Sequence, residues 1–150
     1  MRTDDLTPEQ RRKNMQAIKS KDTSIELRLR RALWERGIRY RKNYKKLMGK
    51  PDIAITKFRI AVFCDSDYWH GYDWENRNQR IKSNRDYWIP KIERNMERDQ
   101  KVNEALARDG WTVLRFWEWQ IKKRLDDCVN EIMLVVEQKS KREVDSRNDF

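Results

Sequence analysis

Two short runs rich in strand-forming residues stand close together in a chain in which 40% of the residues are charged. They are residues 52–56 and 59–64, and Lys57 and Phe58 join them. Their β-branched residues favour strands, and so short a connection is typical of a hairpin. Residues 60–63 are all apolar, which indicates a strand in the middle of a sheet. We therefore expect the fold to be built around this hairpin.

Helical periodicity and end signals account for most of the remaining chain. Thr7, Pro8 and Gln10 have the order of an N-terminal capping box, and Gly37 and Gly110 are suited to end helices. The predicted helices are residues 7–19, 23–37, 84 or 90 to 108, and 118–138, and further strands are predicted at residues 38–42 and 111–116.

This order of elements predicts a single α/β domain over residues 1–138. Its mixed central sheet of about four strands would be flanked by helices on both faces. Residues 1–22 would form an N-terminal arm and helix, and residues 139–150 a flexible charged tail.

The chain carries a large excess of positive charge. Its net charge is +10 and its pI is about 9.7, and clustered Lys and Arg are typical of proteins that bind nucleic acid. Residues 11–21 contain five basic residues and no acid. Met15 and Ile18 of this helix would either enter a DNA groove or dock the helix on the domain. DNA is favoured over an anionic membrane as the partner.

The two cysteines, Cys64 and Cys128, are far apart in the chain. Their spacing excludes a disulfide framework and has no zinc signature. The first residues are polar, and no apolar run reaches the length of a membrane span. We expect a cytoplasmic protein, associated with the nucleoid through DNA binding.

Acidic residues stand at the open end of the predicted hairpin, one on each strand. Asp52 follows Pro51 at the start of the first strand, and Asp65 ends the second. Two carboxylates side by side repel each other unless a proton or a cation separates them. In a DNA-binding chain we expect Mg²⁺, which prefers oxygen ligands. The main-chain carbonyl of Cys64 would be a third ligand.

His70 is the only histidine, and it lies in a segment crowded with acidic and aromatic residues. Beside a carboxylate pair it would serve as a general base or as a cation on the phosphate, although a lone histidine is also compatible with a structural role. Asp99 and Glu26 fall on or near the apolar stripes of their helices and would orient His70 or water at the metal. The alternatives are an ion pair with an arginine for Asp99, and a surface pair with Arg30 for Glu26.

Aromatic and polar side chains next to these residues are candidate DNA contacts. Tyr68 and Trp69 would insert between base pairs and unstack them. Trp88 would do the same from the third predicted helix, unless it packs in the core. Lys91 and Asn95, one turn later, would reach phosphates or base edges.

Many of these residues occur in blocks that follow the order of a known family. Over about residues 11–120 the chain resembles the very short patch repair (Vsr) endonucleases, nicking enzymes of the PD-(D/E)xK nuclease superfamily with a restriction-endonuclease-like fold. The matching blocks are residues 12–18, 22–26, 49–52, 62–63, 68–71, 88–99 and 110–111.

The resemblance implies a role for each matching residue. Asp52 would hold Mg²⁺ with the Cys64 carbonyl, His70 would act on the attacking water or the phosphate while Asp99 holds it, and Glu26 would bind water at the metal. The remaining residues would contact DNA: Arg12, Met15 and Ile18 in a groove, and Tyr68, Trp69 and Trp88 beside a T·G mismatch. The implied reaction is a nick 5′ to the mismatched T, leaving 5′-phosphate and 3′-hydroxyl ends, which starts repair of deaminated 5-methylcytosine.

The chain departs from the family pattern where the best-known relatives carry a structural zinc. Their Cys and His ligands are replaced here by Asp67, Tyr72 and Trp74, and Trp117 or a neighbour replaces the later cysteine. We therefore expect no zinc, with packing of Trp74 and Trp117 in its place. Asp67 also replaces the usual superfamily lysine.

Asp65 stands where some family members have histidine and others aspartate, which favours a two-carboxylate site with one histidine. His70 would then also cover the role of the missing lysine.

Two other functions remain compatible with the sequence. One is a sequence-specific restriction or phage endonuclease on the same scaffold, which cuts both strands. The other is a non-catalytic DNA-binding module. A nick needs only a monomer, and other mismatch-repair proteins are possible partners.

Overall fold

The computed structural model describes residues 23–67, 70–77 and 84–148. The elements in chain order are α1 Ser24–Glu35, β1 Arg41–Lys42, β2 Ile53–Ile55, β3 Ile60–Asp65, α2 Trp74–Arg77, α3 Arg85–Arg108, β4 Thr112–Trp117, α4 Glu118–Lys123 and α5 Leu125–Asn148. The predicted helix at residues 7–19 lies outside the described residues.

The four strands form one mixed sheet in the order β1-β2-β3-β4. The predicted hairpin is present, because β2 and β3 pair antiparallel with Ile53 opposite Val62. β4 pairs parallel to β3 after the crossover through α3. The prediction of an α/β domain with a mixed sheet of four strands is therefore confirmed.

Helices cover both faces of the sheet, and the alternation of side chains in β3 shows how. Ile60 and Val62 point into a core with residues of α1, α4 and α5. Ala61 and Phe63 point the other way and pack against Val102 and Leu106 of α3. Side chains on a strand alternate between faces, so Asp65 shares the α3 side of the sheet with Phe63. The acidic end of β3 is thereby aimed at α3.

Helix α1 begins and ends close to the residues that the sequence predicts. Thr23 is the N-cap of a capping box in which its backbone N–H donates to Oε2 of Glu26 at 2.7 Å. The helix ends before Gly37, which has a φ of +84° that glycine adopts without strain. The capping contact fixes the carboxylate of Glu26 at the first turn of the helix.

Three predicted boundaries are wrong. The strand expected at residues 38–42 is limited to β1, because Ile38 is used to close α1 and its side chain is buried. The helix expected at residues 118–138 is interrupted at Arg124, whose φ of −135° and ψ of 46° are not helical. The irregular segment after β3 contains the short helix α2.

The C-terminal helix is longer than predicted. Residues 139–148, expected as a flexible tail, continue α5 as far as Asn148. Lys139 contributes by donating hydrogen bonds to the carbonyl oxygens of Phe58 and Arg59 at 2.6 and 2.8 Å. These contacts attach α5 to the turn of the central hairpin.

Within the described ranges, no helix combines the length and the apolar composition that crossing a membrane requires.

Candidate active site

A cavity of about 550 Å³ opens beside the ends of β2 and β3, on the side of the sheet that α3 covers. The predicted catalytic residues Asp52, Asp65, His70 and Asp99 all line it. The structure thus brings together side chains that are spread over nearly fifty positions of the sequence. The other lining residues are Asn43, Lys45, Gly49, Lys50, Phe63, Arg98, Val102 and Arg115.

Asp52 lies immediately before β2, where the hairpin register places it beside the end of β3. Its Oδ2 accepts a hydrogen bond from the backbone N–H of Cys64 at 2.7 Å. Burial, a hydrogen bond with Glu26 and the negative charges of Glu26 and Asp65 together raise its pKa to about 8. The Cys64 N–H opposes this rise only in part. A positive charge at Asp52 would relieve the repulsion.

Glu26 reaches the same place from the first turn of α1. Only 2% of its surface is exposed, and its carboxyl group forms a hydrogen bond with that of Asp52. Arg30, one turn later, is also buried, and it donates to the Asp52 carbonyl oxygen and to Asn43 Oδ1, each at 3.3 Å. The alternative prediction, that Glu26 lies on the helix surface and pairs there with Arg30, is therefore wrong in placing Glu26 at the surface.

Arg115 is a residue of the site that sequence reasoning did not find. It points from β4 towards α3, and its Nη1 lies 3.0 and 3.2 Å from the two carboxylate oxygens of Asp65. Its Nε donates to Asn103 Oδ1 at 2.6 Å, and Nη1 is 3.6 Å from Oδ1 of Asp99. Burial raises the pKa of Asp65, and the charge of Arg115 opposes that rise.

The signal for Arg115 was present in the sequence but was not decisive. β4 was predicted, and a charged residue between the apolar Leu114 and Phe116 requires a partner if it is buried. Only the register of β3 with β4, which places Arg115 opposite Phe63, identifies that partner as Asp65.

His70 and Asp99 form a close pair at the mouth of the cavity. His70 Nδ1 lies 2.5 Å from Asp99 Oδ2 and 3.8 Å from Asp65 Oδ1. A carboxylate at Nδ1 holds the ring and favours a proton on that nitrogen. The other ring nitrogen, Nε2, is then a hydrogen-bond acceptor. Asp99 thus contacts both His70 and Arg115.

The donor atoms at this end of the sheet suit a divalent cation. The carboxyl groups of the partly buried Asp52 and the buried Glu26 lie side by side, and a cation would stabilise them. Asp65, His70 and Asp99 each offer a ligand atom, all within 4.8 Å of one another. Arg115 already supplies positive charge to that second group. A metal ion would therefore relieve more repulsion at Asp52 and Glu26 than at Asp65, His70 and Asp99.

The predicted DNA contacts are only partly described. Trp88, Lys91 and Asn95 lie along the first turns of α3, where the ammonium of Lys91 is 5.6 Å from the Trp88 ring. Trp88 is half-buried and packs edge-on against Tyr87, which is 58% exposed and was not predicted as a contact. The predicted contacts Arg12, Met15, Ile18, Tyr68 and Trp69 lie outside the described residues.

Aromatic packing occupies the region where the resemblance implies zinc. The ring of Tyr72 lies 5.2 Å from that of Trp117 and 5.8 Å from that of Trp119. The backbone N–H of Trp119 donates to Asp67 Oδ1 at 3.4 Å. Trp117 was expected to pack on Trp74, which starts α2, but the ring against it here is that of Tyr72.

Comparisons with known proteins find a matching family and similar enzymes. The family model described as DNA mismatch endonuclease Vsr matches residues 3–76. Type II nicking enzyme V.NmeDIP of Neisseria meningitidis serogroup C is 49% identical over 136 residues, which cover 91% of this chain and 92% of that protein. Type II nicking enzyme V.HpaIIP of Haemophilus parainfluenzae is 47% identical over 134 residues, which cover 89% of this chain and 95% of that protein.

A more distant relative has the name of the family itself. DNA mismatch endonuclease Vsr of Escherichia coli K12 is 34% identical over 115 residues, which cover 76% of this chain and 72% of that protein. The similarity extends over most of each relative, and the residues of the cavity form one compact site. The chain belongs to the Vsr family of DNA endonucleases.

Proposed function

We propose that this endonuclease nicks one strand of duplex DNA 5′ to the T of a T·G mismatch, with Mg²⁺ as its cofactor. The observation that carries the proposal is the hydrogen-bonded His70–Asp99 pair in the same cavity as Asp52, whose carboxyl group is backed by the buried Glu26. This single set of groups lies within one chain, so a monomer suffices to cut one strand.

Asp52 is the proposed principal ligand of Mg²⁺, with Asp65 and the main-chain carbonyl of Cys64 as further ligands. Glu26 would hold water beside the ion. When bound, the ion supplies positive charge that stabilises the phosphate and the leaving oxygen. Arg115 keeps the carboxylate of Asp65 in a fixed orientation through its contacts with both oxygens.

His70 is the proposed proton acceptor. Asp99 holds Nδ1, so Nε2 takes a proton from the attacking water as the water oxygen bonds to phosphorus. The bond between phosphorus and the 3′ oxygen breaks, and the leaving oxygen takes a proton from solvent. The products are a 5′-phosphate and a 3′-hydroxyl group, and the nick would start repair of deaminated 5-methylcytosine.

A second candidate function is a nick at a defined sequence in fully paired DNA. Relatives from Neisseria and Haemophilus carry the name type II nicking enzyme, and they are more similar to this chain than the Escherichia coli mismatch endonuclease is. The catalytic groups would be the same, and only the substrate would differ.

A strand-specific cleavage assay separates these functions. Duplexes labelled on each strand, with one T·G mismatch or fully paired, are incubated with protein and Mg²⁺, and Asp52→Asn protein is the control for contaminating nuclease. Cleavage of the T strand in the mismatched duplex alone is the expected result. Nicking of paired DNA supports the second function, and breaks in both strands, or binding without any cleavage, contradict both.

A further inference from the structure

A second surface of the molecule combines basic and aromatic side chains outside the catalytic cavity. It consists of two adjoining cavities of about 810 and 740 Å³, which share Trp34, Tyr40 and Lys42. We call it the Trp34 surface. It extends from α1 across the edge strand β1 to the loop that follows β1. None of its residues was singled out as a DNA contact from the sequence.

Charge is distributed unevenly over the Trp34 surface. Among the described residues that line its two cavities, Glu35 alone is acidic. Four exposed basic residues come from β1 and the loop after it, namely Arg41, Lys42, Lys45 and Lys46. Two more, Arg28 and Arg31, lie at exposed positions of α1. Such an excess of cations on an exposed surface favours a polyanion as the occupant.

Trp34 forms an exposed centre for this surface. Its side chain is 52% exposed, and its ring lies edge-on to that of Tyr40 with 6.1 Å between centroids. The guanidinium of Arg39 stacks 3.5 Å from the Trp34 ring. Nη1 of Arg39 also donates to the carbonyl oxygens of Trp34 and Ile38 at 3.3 and 3.4 Å. The stacking and these hydrogen bonds hold the guanidinium in a fixed plane, and its cationic charge suits phosphate oxygens.

The Trp34 surface is continuous with the catalytic cavity. Asn43 and Lys45 line both the larger of its two cavities and the cavity that contains Asp52 and His70. A DNA strand bound at the catalytic cavity would therefore pass directly onto the basic side chains of the Trp34 surface as it continues towards β1 and α1.

We propose that the Trp34 surface binds the phosphate backbone of the substrate duplex on one side of the cleavage site. This inference rests on the proposed function only in taking duplex DNA as the substrate. Phosphates are favoured over unpaired bases, because Arg39 already stacks on Trp34, which would otherwise be a platform for a base. The contacts would increase affinity and orient the DNA without reading its sequence.

The test compares two pairs of charge removals. Lys42→Gln/Lys46→Gln removes two charges from the Trp34 surface, and Lys123→Gln/Lys141→Gln removes two from exposed sites on α4 and α5 that line neither this surface nor the catalytic cavity. The affinity for fully paired duplexes with long and short arms is measured over a range of salt concentrations, without divalent metal. Circular dichroism confirms that each variant is folded.

For Lys42→Gln/Lys46→Gln we expect about tenfold weaker binding of the long duplex, and a slope of log Kd against log salt that falls by about two. Binding of the duplex too short to reach the Trp34 surface should be unchanged. Trp34→Leu, which keeps every charge but releases Arg39, should give part of the same loss.

Three results would overturn the inference: equal losses in both double variants, losses that do not depend on arm length, or a stronger effect on single-stranded than on duplex DNA. These binding measurements require neither a mismatch nor cleavage. The binding measurements therefore still test the inference if the proposed mismatch specificity proves wrong.

Discussion

At the scale of single residues, the carboxyl groups of Asp52 and Glu26 show how a candidate active site reduces stability. Glu26 is buried beside the partly buried Asp52, and the pKa of Asp52 is raised to about 8 from an ordinary value of 3.8. In the unfolded chain Asp52 ionises at the lower value, so its protonated form favours the folded state. This contribution is complete below about pH 4 and is lost as the pH rises through 8.

We therefore expect Asp52→Asn to stabilise the metal-free protein at pH 8. The amide keeps the shape of the carboxyl group without its charge, and the gain should be on the order of 2 kcal/mol. It should vanish near pH 4. Urea denaturation in EDTA at several pH values measures it. A gain of the same size at every pH would mean that repulsion is not its cause.

A second prediction concerns the ion pair between Arg115 and Asp65. Arg115→Gln leaves a buried carboxylate without its cation and should destabilise the protein by about 3 kcal/mol. The double variant Arg115→Gln/Asp65→Asn should recover much of this loss, because both charges are then absent. A thermodynamic cycle over the two single variants and the double variant measures the coupling, and additive losses would show that the contact contributes little.

At the scale of secondary-structure elements, the position of His70 depends on how closely its loop approaches α3. Gly71 has a φ of +78° and is buried against Met96 of that helix. A Cβ placed at Gly71 would lie 2.8 Å from Cγ of Met96 and closer still to its sulfur. The loop can therefore approach α3, which carries Asp99, only with glycine at this position.

Gly71→Ala should therefore separate His70 from Asp99 and reduce single-turnover nicking by at least tenfold, about the effect of a misplaced general base. Adding Met96→Ala to this variant removes the steric clash with the new Cβ and should restore some activity. The strain from the positive φ at residue 71 remains. Gly37→Ala is the matched control, since that glycine has a similar φ of +84° but no neighbour within 4 Å of the added Cβ. Equal activity losses in both variants would exclude the contact as the cause.

At the scale of the whole molecule, metal binding and folding should be linked. A cation that binds Asp52 in the folded protein alone increases the free energy of unfolding, by about 1.4 kcal/mol at ten times its Kd. Protons compete for the same carboxyl group. Because its pKa is about 8, the stabilisation should grow between pH 6 and 8.

Thermal unfolding with and without Mg²⁺ across this pH range tests the linkage. The rise in Tm should be absent in Asp52→Asn, and Lys123→Gln is the control for effects of surface charge. A shift of equal size in Asp52→Asn would show that Mg²⁺ binds elsewhere, for instance at Asp65, His70 and Asp99.

Local signals were sufficient to predict much of this fold. The hairpin could be predicted from two runs rich in strand-forming residues with a short connection, and α1 from its capping box and Gly37. The extent of the C-terminal helix, by contrast, involves a distant contact. Residues 139–148 carry too many charges to predict a docked helix, yet Lys139 bonds to the carbonyl oxygens of the hairpin turn.

The same division applies to the candidate site. The sequence alone determined the chemical types present: acidic residues at the open end of a hairpin, one histidine, and a basic surface. Only the tertiary structure decided their pairing, because the partners of a buried charge are set by strand register and helix packing across the sheet. Arg115 pairs with Asp65, Glu26 with Asp52, and His70 with Asp99, and each pair joins segments that are distant in the chain.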